Sequence, residues 1–194
     1  MKYIISYTKP HNHYIDIEFI VDLPTGQAGK IDQDELMIQL PAWRPGRYEL
    51  GNFAKNIQKW SAFDEKGSVL KFEKITKDCW KVQTKGVSTA HIKYNYYAAE
   101  INAGSTFLDE TQLYMNPVNC CVYIQDRINE SCELELHLPS DYKVACGLNP
   151  RPNASPKERS FLAKDFHELA DSPFIASNSL QHNVFICFGV EFNI

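Results

Sequence analysis

The sequence predicts an all-β fold, an antiparallel β-sandwich with at most one or two short helical turns. Apolar and polar residues alternate with a period of two along much of the chain, which indicates strands with one buried face. Turn-forming residues separate these runs, as in Pro24-Thr25-Gly26 and Pro139-Ser140-Asp141. Helical periodicity is scarce. Many short strands divided by regular turns are typical of two packed antiparallel sheets.

The strand segments are rich in alternating apolar, β-branched or aromatic residues. In chain order they are 1–9, Tyr14–Val21, Glu35–Leu40, Trp80–Gln83, His91–Tyr97, Cys132–Leu138 and 182–192. Apolar residues at helical spacing predict one helical turn within Gly51–Trp60, and Asp165–Ala170 predicts another. The Pro-rich stretch 149–159 is short enough to be a loop, so we expect a single domain over residues 1–194.

Size and charge exclude several classes of protein. The chain has 194 residues, a formal charge of −4 and 44% hydrophobic residues, as expected for one domain with a full core. It has no basic excess to bind phosphates, which argues against nucleic acid or an anionic membrane. No apolar run reaches about 18 residues, so no membrane span is predicted. Because residues 1–9 do not resemble a signal peptide, we expect a cytoplasmic protein, or an unknown location if a signal was removed.

Candidate metal and nucleophile motifs are weak. The cysteines form no CxxC pair and are interpreted as small buried residues in a reducing compartment; they are Cys79, Cys120, Cys121, Cys132, Cys146 and Cys187. The neighbours Cys120 and Cys121 would point to opposite faces of a strand. His11 and His13 would share a strand face, but no third ligand is identifiable. The string 167–171 resembles HExxH but ends in Asp, and Pro173 leaves little room for a helix. We therefore expect no catalytic residue, metal or cofactor in this chain.

The strongest local signal is the segment Pro41–Tyr48. Pro45-Gly46 predicts a tight turn, because proline fixes φ at its first central position and glycine accepts positive φ at its second. Two interpretations remain open for the flanking aromatics. They clamp a corner of the sandwich, with Trp43 buried, or they form a surface that meets another domain or a ligand.

This segment resembles the N-terminal domain of the glycyl aminopeptidases, the sixty-first family of metallopeptidases. Several residues stand at the places of the family signature, namely Trp43, Pro45, Gly46, Tyr48, Phe53, Ala54 and Asn56. Residues 141–148 resemble a later family strand, and residues 166–173 resemble a later family signature that includes a matching Asp171-Ser172-Pro173. The pieces occur in the family's order and span nearly the whole chain.

The resemblance implies a non-catalytic β-domain that precedes a zinc-binding catalytic domain, which is absent from this chain. By analogy with related aminopeptidases, this domain would pack on that downstream domain and border its active-site cleft, meeting peptide substrate only in the intact protein. The candidate residues for the cleft or the interdomain surface are Glu100, Asn102, Tyr114 and Asn116. Glu100 is the candidate partner of a substrate ammonium group.

Two other classes of function remain open. A free-standing sandwich would use an edge or the Trp43–Tyr48 surface to bind a peptide or glycan. The second class is a small hydrolase that uses Cys or His without a known motif. A reading frame that continues past Ile194 into HExxH would favour the aminopeptidase interpretation over the free-standing module.

Overall fold

The computed structural model describes residues 1–23, 34–47, 49–102, 104–154 and 158–193. Its strands, in chain order, are β1 (Lys2–Ser6), β2 (Tyr14–Asp22), β3 (Glu35–Gln39), β4 (Ile57–Phe63), β5 (Phe72–Thr76), β6 (Cys79–Gln83), β7 (Thr89–Tyr97), β8 (Phe107–Leu108), β9 (Gln112–Met115), β10 (Cys132–His137), β11 (Lys143–Cys146), β12 (Asn149–Pro150), β13 (Ser160–Ala163), β14 (Phe174–Ser177), β15 (Val184–Cys187) and β16 (Val190–Asn193). The helical segments are α1 (Pro117–Cys120), α2 (Phe166–Ala170) and 3-10 turns at Pro10–Asn12, Phe53–Asn56 and Gln125–Arg127.

The strands form several sheets. The largest has the order β12-β13-β10-β1-β2-β7-β4, and β1 runs parallel to β10 within it. A four-stranded sheet has the order β11-β14-β9-β8, and a three-stranded sheet has the order β3-β6-β5. The other strand pairs are antiparallel, so the predicted all-β class is confirmed. Among the described residues, no helix is long and apolar enough to cross a membrane.

The core lies between the inner face of the large sheet and the two smaller sheets. Alternation along β2 places Ile15, Ile17, Phe19 and Val21 on this face, as the sequence predicts. Tyr3 stacks on Phe19 with ring centroids 4.8 Å apart. From the other sheets come the buried side chains of Leu36, Ile38, Trp80, Leu113, Met115 and Phe174. Burial of each large apolar side chain stabilises the fold by about 1.5–3 kcal/mol.

The helical turns predicted within Gly51–Trp60 and Asp165–Ala170 are present, whereas the single strand predicted at 182–192 is not. In Gly51–Trp60, only Phe53–Asn56 is helical, and Trp60 lies on β4 opposite Tyr94 of β7. Its ring stacks on Trp80 at 4.1 Å, so the apolar spacing there reflects packing between sheets. The segment 182–192 is a hairpin rather than one strand, because Phe188 and Gly189 adopt positive φ and reverse the chain.

The paired cysteines and histidines also differ from expectation. Cys120 ends α1 and Cys121 follows it, so they do not lie on a strand, although both are fully buried. Burial is also confirmed for Cys79 and Cys132; Cys146 is half-buried and Cys187 is exposed.

His11 lies in the first 3-10 turn, and His13 caps that turn with a φ of 59°. They therefore do not share a strand face. The Nδ1 of His13 donates to the carbonyl of Leu108 at 2.6 Å, which ties the start of β2 to β8.

Candidate functional site

The candidate site is a cleft at one edge of the sandwich, where the loop between β7 and β8 approaches the segment before β4. This edge cleft, of about 210 Å³, is lined by Arg44, Arg47, Glu49, Leu50, Gly51, Phe53, Glu100, Asn102, Gly104 and Ser105. A smaller hollow of about 50 Å³ adjoins it and shares Glu100 and Ser105. Lys55, Thr106 and Asn119 also line the hollow. Residues distant in sequence therefore converge here.

The β7–β8 loop is shaped by its own polar side chains. The Oδ1 of Asn102 accepts a hydrogen bond from the Gly104 N–H at 2.9 Å, a bond typical of an Asx turn. The Gly104 carbonyl accepts from Asn119 Nδ2 at 2.7 Å. The guanidinium of Arg44 occupies the place where a side chain on residue 104 would begin. Glycine at this position allows the close approach, because a larger side chain would have to displace the flexible end of Arg44.

A buried polar floor lies beneath the loop. The backbone N–H of Asn116 donates to Thr106 Oγ1 at 3.1 Å, and both residues are buried. Asn119 is only 1% exposed, and its Oδ1 has no hydrogen-bond partner among the described residues. A buried acceptor without a partner costs about 1–3 kcal/mol. The fold therefore keeps a costly polar group next to the hollow.

Beside Glu49, which pairs with Arg47, Glu100 is an exposed carboxylate of the edge cleft. It accepts a hydrogen bond from Ser105 Oγ at 3.1 Å, and Lys55 Nζ lies 3.9 Å from its other oxygen. The side chains of Glu100 and Lys55 are both mostly exposed. This arrangement holds the carboxylate in place and leaves it open to a cation from solvent.

The predicted cleft residues are only partly brought together. Glu100 and Asn102 line the edge cleft, and Asn116 Nδ2 reaches the Gly104 carbonyl at 3.5 Å from below. Tyr114 lies on β9, paired with Phe107 of β8, and is not among the residues that line either cavity. It belongs to the strand that supports the loop.

The Trp43 ring is 53% exposed, so the expectation of a buried, aromatic-clamped corner is wrong for this residue. The predicted turn is present: the Arg47 N–H donates to the Arg44 carbonyl, and Gly46 has a φ of 80°. Pro45 is exposed on this turn. Tyr48 lies outside the described residues. The turn projects from the core beside the edge cleft, which leaves the surface interpretation for Trp43.

The remaining signature residues stabilise local structure. The Phe53 ring packs tightly over Gly51, and Asn56 Nδ2 donates to the Tyr96 hydroxyl at 2.9 Å. Burial raises the pKa of that tyrosine well above its usual range. At the end of α2, Asp171 is the cap residue, and Ser172 Oγ donates to the Glu168 carbonyl at 2.7 Å. Pro173 is exposed just before β14.

The string that resembles HExxH forms the capped helix α2. Asp165 Oδ1 accepts from the Glu168 N–H at 2.8 Å, and the Glu168 carboxylate accepts from the Lys164 N–H at 2.6 Å. His167 is exposed. Across the part of the chain that the structure describes, no three His, Cys, Asp or Glu side chains are grouped to hold a metal. The donors described here therefore do not fit a zinc site.

Sequence analysis missed three residues of the site: Arg44, Lys55 and Asn119. Arg44 and Lys55 reach the cleft from a segment far from the β7–β8 loop in sequence. The sequence offered a signal at Asn119, a polar residue between the apolar Val118 and Cys120. A polar side chain that is buried among apolar neighbours more often marks a site than an exposed one does.

The fold and the edge cleft define a β-sandwich domain with a polar, partly charged edge. A family model described as the Peptidase M61 N-terminal domain matches residues 2–178. The chain belongs to this family, and the resemblance inferred from its signature residues is confirmed. No curated protein matches the sequence.

Comparison with solved structures gives one strong match in fold and several weaker ones. An aminopeptidase N family protein from Idiomarina loihiensis superposes with a TM-score of 0.87 and 27% identity over 99% of this chain and 31% of that chain. A mutant M1 zinc metallopeptidase from Deinococcus radiodurans, bound to a Tyr-Ser-Ala substrate, has a TM-score of 0.48 and 8% identity. That match covers 95% of this chain and 43% of the metallopeptidase. Yeast LTA4 hydrolase has a TM-score of 0.44 and 11% identity, and the match covers 96% of this chain and 29% of the hydrolase. The chain thus spans about a third of the Idiomarina protein's length.

Proposed function

We propose that this chain is the non-catalytic N-terminal domain of a zinc-dependent aminopeptidase, and that it borders the active-site cleft of a downstream catalytic domain. Family membership and the likeness to a much longer aminopeptidase N family protein support this role. The proposal places the zinc in that catalytic domain, as the resemblance to the glycyl aminopeptidases implies. When bound there, zinc supplies an activated water molecule and polarises the scissile carbonyl.

The observation that carries the proposal is the exposed carboxylate of Glu100 at the edge cleft. An aminopeptidase substrate presents an α-ammonium group with one positive charge and three N–H donors. Glu100 accepts a hydrogen bond from Ser105 and pairs loosely with the Lys55 ammonium, 3.9 Å away, in a cleft that Arg44 and Arg47 also line. A substrate ammonium displaces that lysine and forms a charge-assisted hydrogen bond with the carboxylate.

The other candidate residues position Glu100 rather than touch the substrate. Asn102 shapes the loop through Gly104, and Asn116 together with Asn119 holds the Gly104 carbonyl from below. Tyr114 supports the loop from β9. The domain therefore contributes a fixed acidic group and a wall to the cleft, while the chemistry takes place on the catalytic domain.

The test is steady-state kinetics on the complete peptidase, meaning this domain joined to its catalytic domain. Glu100→Gln removes the charge but keeps the shape. Because hydrogen bonds to charged groups contribute about 1.5–3 kcal/mol, we expect KM for glycyl amides to rise about tenfold or more, with kcat little changed. Glu73→Gln, an exposed carboxylate on β5, is the matched control. An unchanged KM in the Glu100 variant contradicts the proposal.

A further inference from the structure

The carboxy-terminal hairpin β15–β16 follows the region that the family model matches, which ends at residue 178. Its two strands pair with each other, from Val184 opposite Asn193 to Cys187 opposite Val190. They join no other sheet among the described residues. A two-stranded hairpin alone is only marginally stable in water. This hairpin therefore lacks the packing that stabilises the other strands.

The two faces of the hairpin differ in polarity. Because side chains alternate, Phe185, Phe192, Cys187 and Val190 share one face, and this face is entirely apolar. The two phenylalanine rings stack across the strands at 4.9 Å, yet both remain exposed. The opposite face carries Ile186, which is 73% exposed, and the charged residue Glu191 paired with it. Contiguous apolar surface of this kind marks a contact with another protein surface.

The tip of the hairpin adds an independent observation. Phe188 has a φ of 50° and Gly189 a φ of 78°, the two positive values of a type I′ turn. Asparagine and glycine favour this turn, whereas a phenylalanine in the left-handed region costs about 1–2 kcal/mol. The Phe188 side chain is fully exposed. Neither backbone preference nor burial within this domain explains an aromatic ring at that position.

The occupant of this surface follows from the length of the structural neighbour. The Idiomarina protein aligns with 99% of this chain, which includes nearly all of the hairpin, and this alignment takes up only 31% of its own length. In that protein the equivalent of the hairpin therefore belongs to a chain with a large additional part. That part is the candidate cover for the apolar face.

We propose that β15–β16 is a docking hairpin, whose apolar face and Phe188 tip fit an apolar groove on the downstream catalytic domain. This inference rests on the proposed function and adds the surface through which the two domains contact each other. The hairpin holds the catalytic domain through buried apolar area, while the edge cleft supplies polar groups to substrate. The two surfaces therefore have separate roles and are separable by mutation.

Cys187 provides a direct reporter, because it lies on the apolar face and is the exposed cysteine among those described. Its reaction with a small thiol reagent is timed in the separate 194-residue chain and in the complete peptidase, and Cys187→Ser defines the background from other thiols. We expect rapid labelling of the separate chain and labelling slowed by about tenfold or more in the complete peptidase, since modification there requires local opening.

A pair of variants tests the energetics of docking. Phe188→Asp is expected to leave the melting temperature of the separate chain unchanged and to speed Cys187 labelling in the complete peptidase by about tenfold or more. Val69→Asp, which changes an exposed apolar residue between β4 and β5, is the matched control and should leave the Cys187 labelling rate in the complete peptidase unchanged.

The outcomes separate this inference from the proposed function. Equal labelling of Cys187 in both proteins, with glycyl amidase activity intact, overturns the docking hairpin and leaves the proposed function standing. Labelling that slows as the separate chain is concentrated also overturns the inference, because a second copy then covers the face. Equal labelling of Cys187 in both proteins, with glycyl amidase activity absent, removes the proposed function together with the inference.

Discussion

Replacement of Trp43 by alanine distinguishes a core residue from an interface residue at the strongest signal in the sequence. Truncation of a fully buried tryptophan or phenylalanine to alanine lowers the free energy of unfolding by about 3–5 kcal/mol. The loss has two parts, the transfer free energy of the removed atoms and the cost of the cavity left behind. Trp80, which is 2% exposed and stacked on Trp60 at 4.1 Å, belongs to that class. Trp43 keeps 53% of its surface in water, and its removal leaves no closed cavity. We therefore expect Trp43→Ala to cost about 1 kcal/mol.

The assay is urea unfolding of the 194-residue chain followed by far-ultraviolet circular dichroism, with Trp80→Ala as the buried reference. For a chain of this length, 1 kcal/mol corresponds to about 2–4 °C in melting temperature. Trp43→Ala should also weaken binding to the catalytic domain if the exposed ring lies in the interdomain surface. A loss of 3 kcal/mol or more in the free energy of unfolding would place the ring in the core and refute the reasoning.

Three further predictions follow from the described contacts. The separate chain should show no chelator-sensitive hydrolysis of glycyl or alanyl amides, and turnover abolished by a chelator would contradict this. Gly104→Ala should displace the Arg44 guanidinium and raise KM of the complete peptidase, with a stability loss below about 1 kcal/mol because that side chain is flexible. Hydrogen bonds from Lys2 and then His137 lower the pKa of Glu135 from its ordinary value near 4.5. The ionised Glu135 therefore contributes to the free energy of unfolding above pH 4.5, and this contribution is lost as pH falls through the lowered pKa. Glu135→Gln should make the free energy of unfolding less sensitive to acid. An unchanged pH profile of the free energy of unfolding would disprove this.

Alternation along single strands made the fold class predictable. In β2 and β10 every second residue is buried, because one face of each strand packs on the core. This pattern is local, so the sequence alone carries it. The carboxy-terminal hairpin was harder to predict, because a Phe188-Gly189 turn departs from the usual preference for asparagine before glycine.

The site was less predictable, because its geometry depends on contacts between distant segments. Nothing in the local sequence around Gly104 indicates that Arg44 approaches it or that Asn119 holds its carbonyl. The exposure of Trp43 is likewise decided by where its turn lies relative to the core. The candidate stretch that follows β7 lies at the edge cleft, but the sequence did not separate side chains that position its loop from the one that faces solvent.

The most direct test of the central claim is a crystal structure of the complete peptidase with a bound inhibitor that carries a free α-ammonium group. The proposal expects a carboxylate oxygen of Glu100 within about 3 Å of the inhibitor's ammonium nitrogen, as a charge-assisted hydrogen bond requires. A separation above about 10 Å, with the edge cleft facing away from the zinc, would contradict the claim that this domain borders the active site.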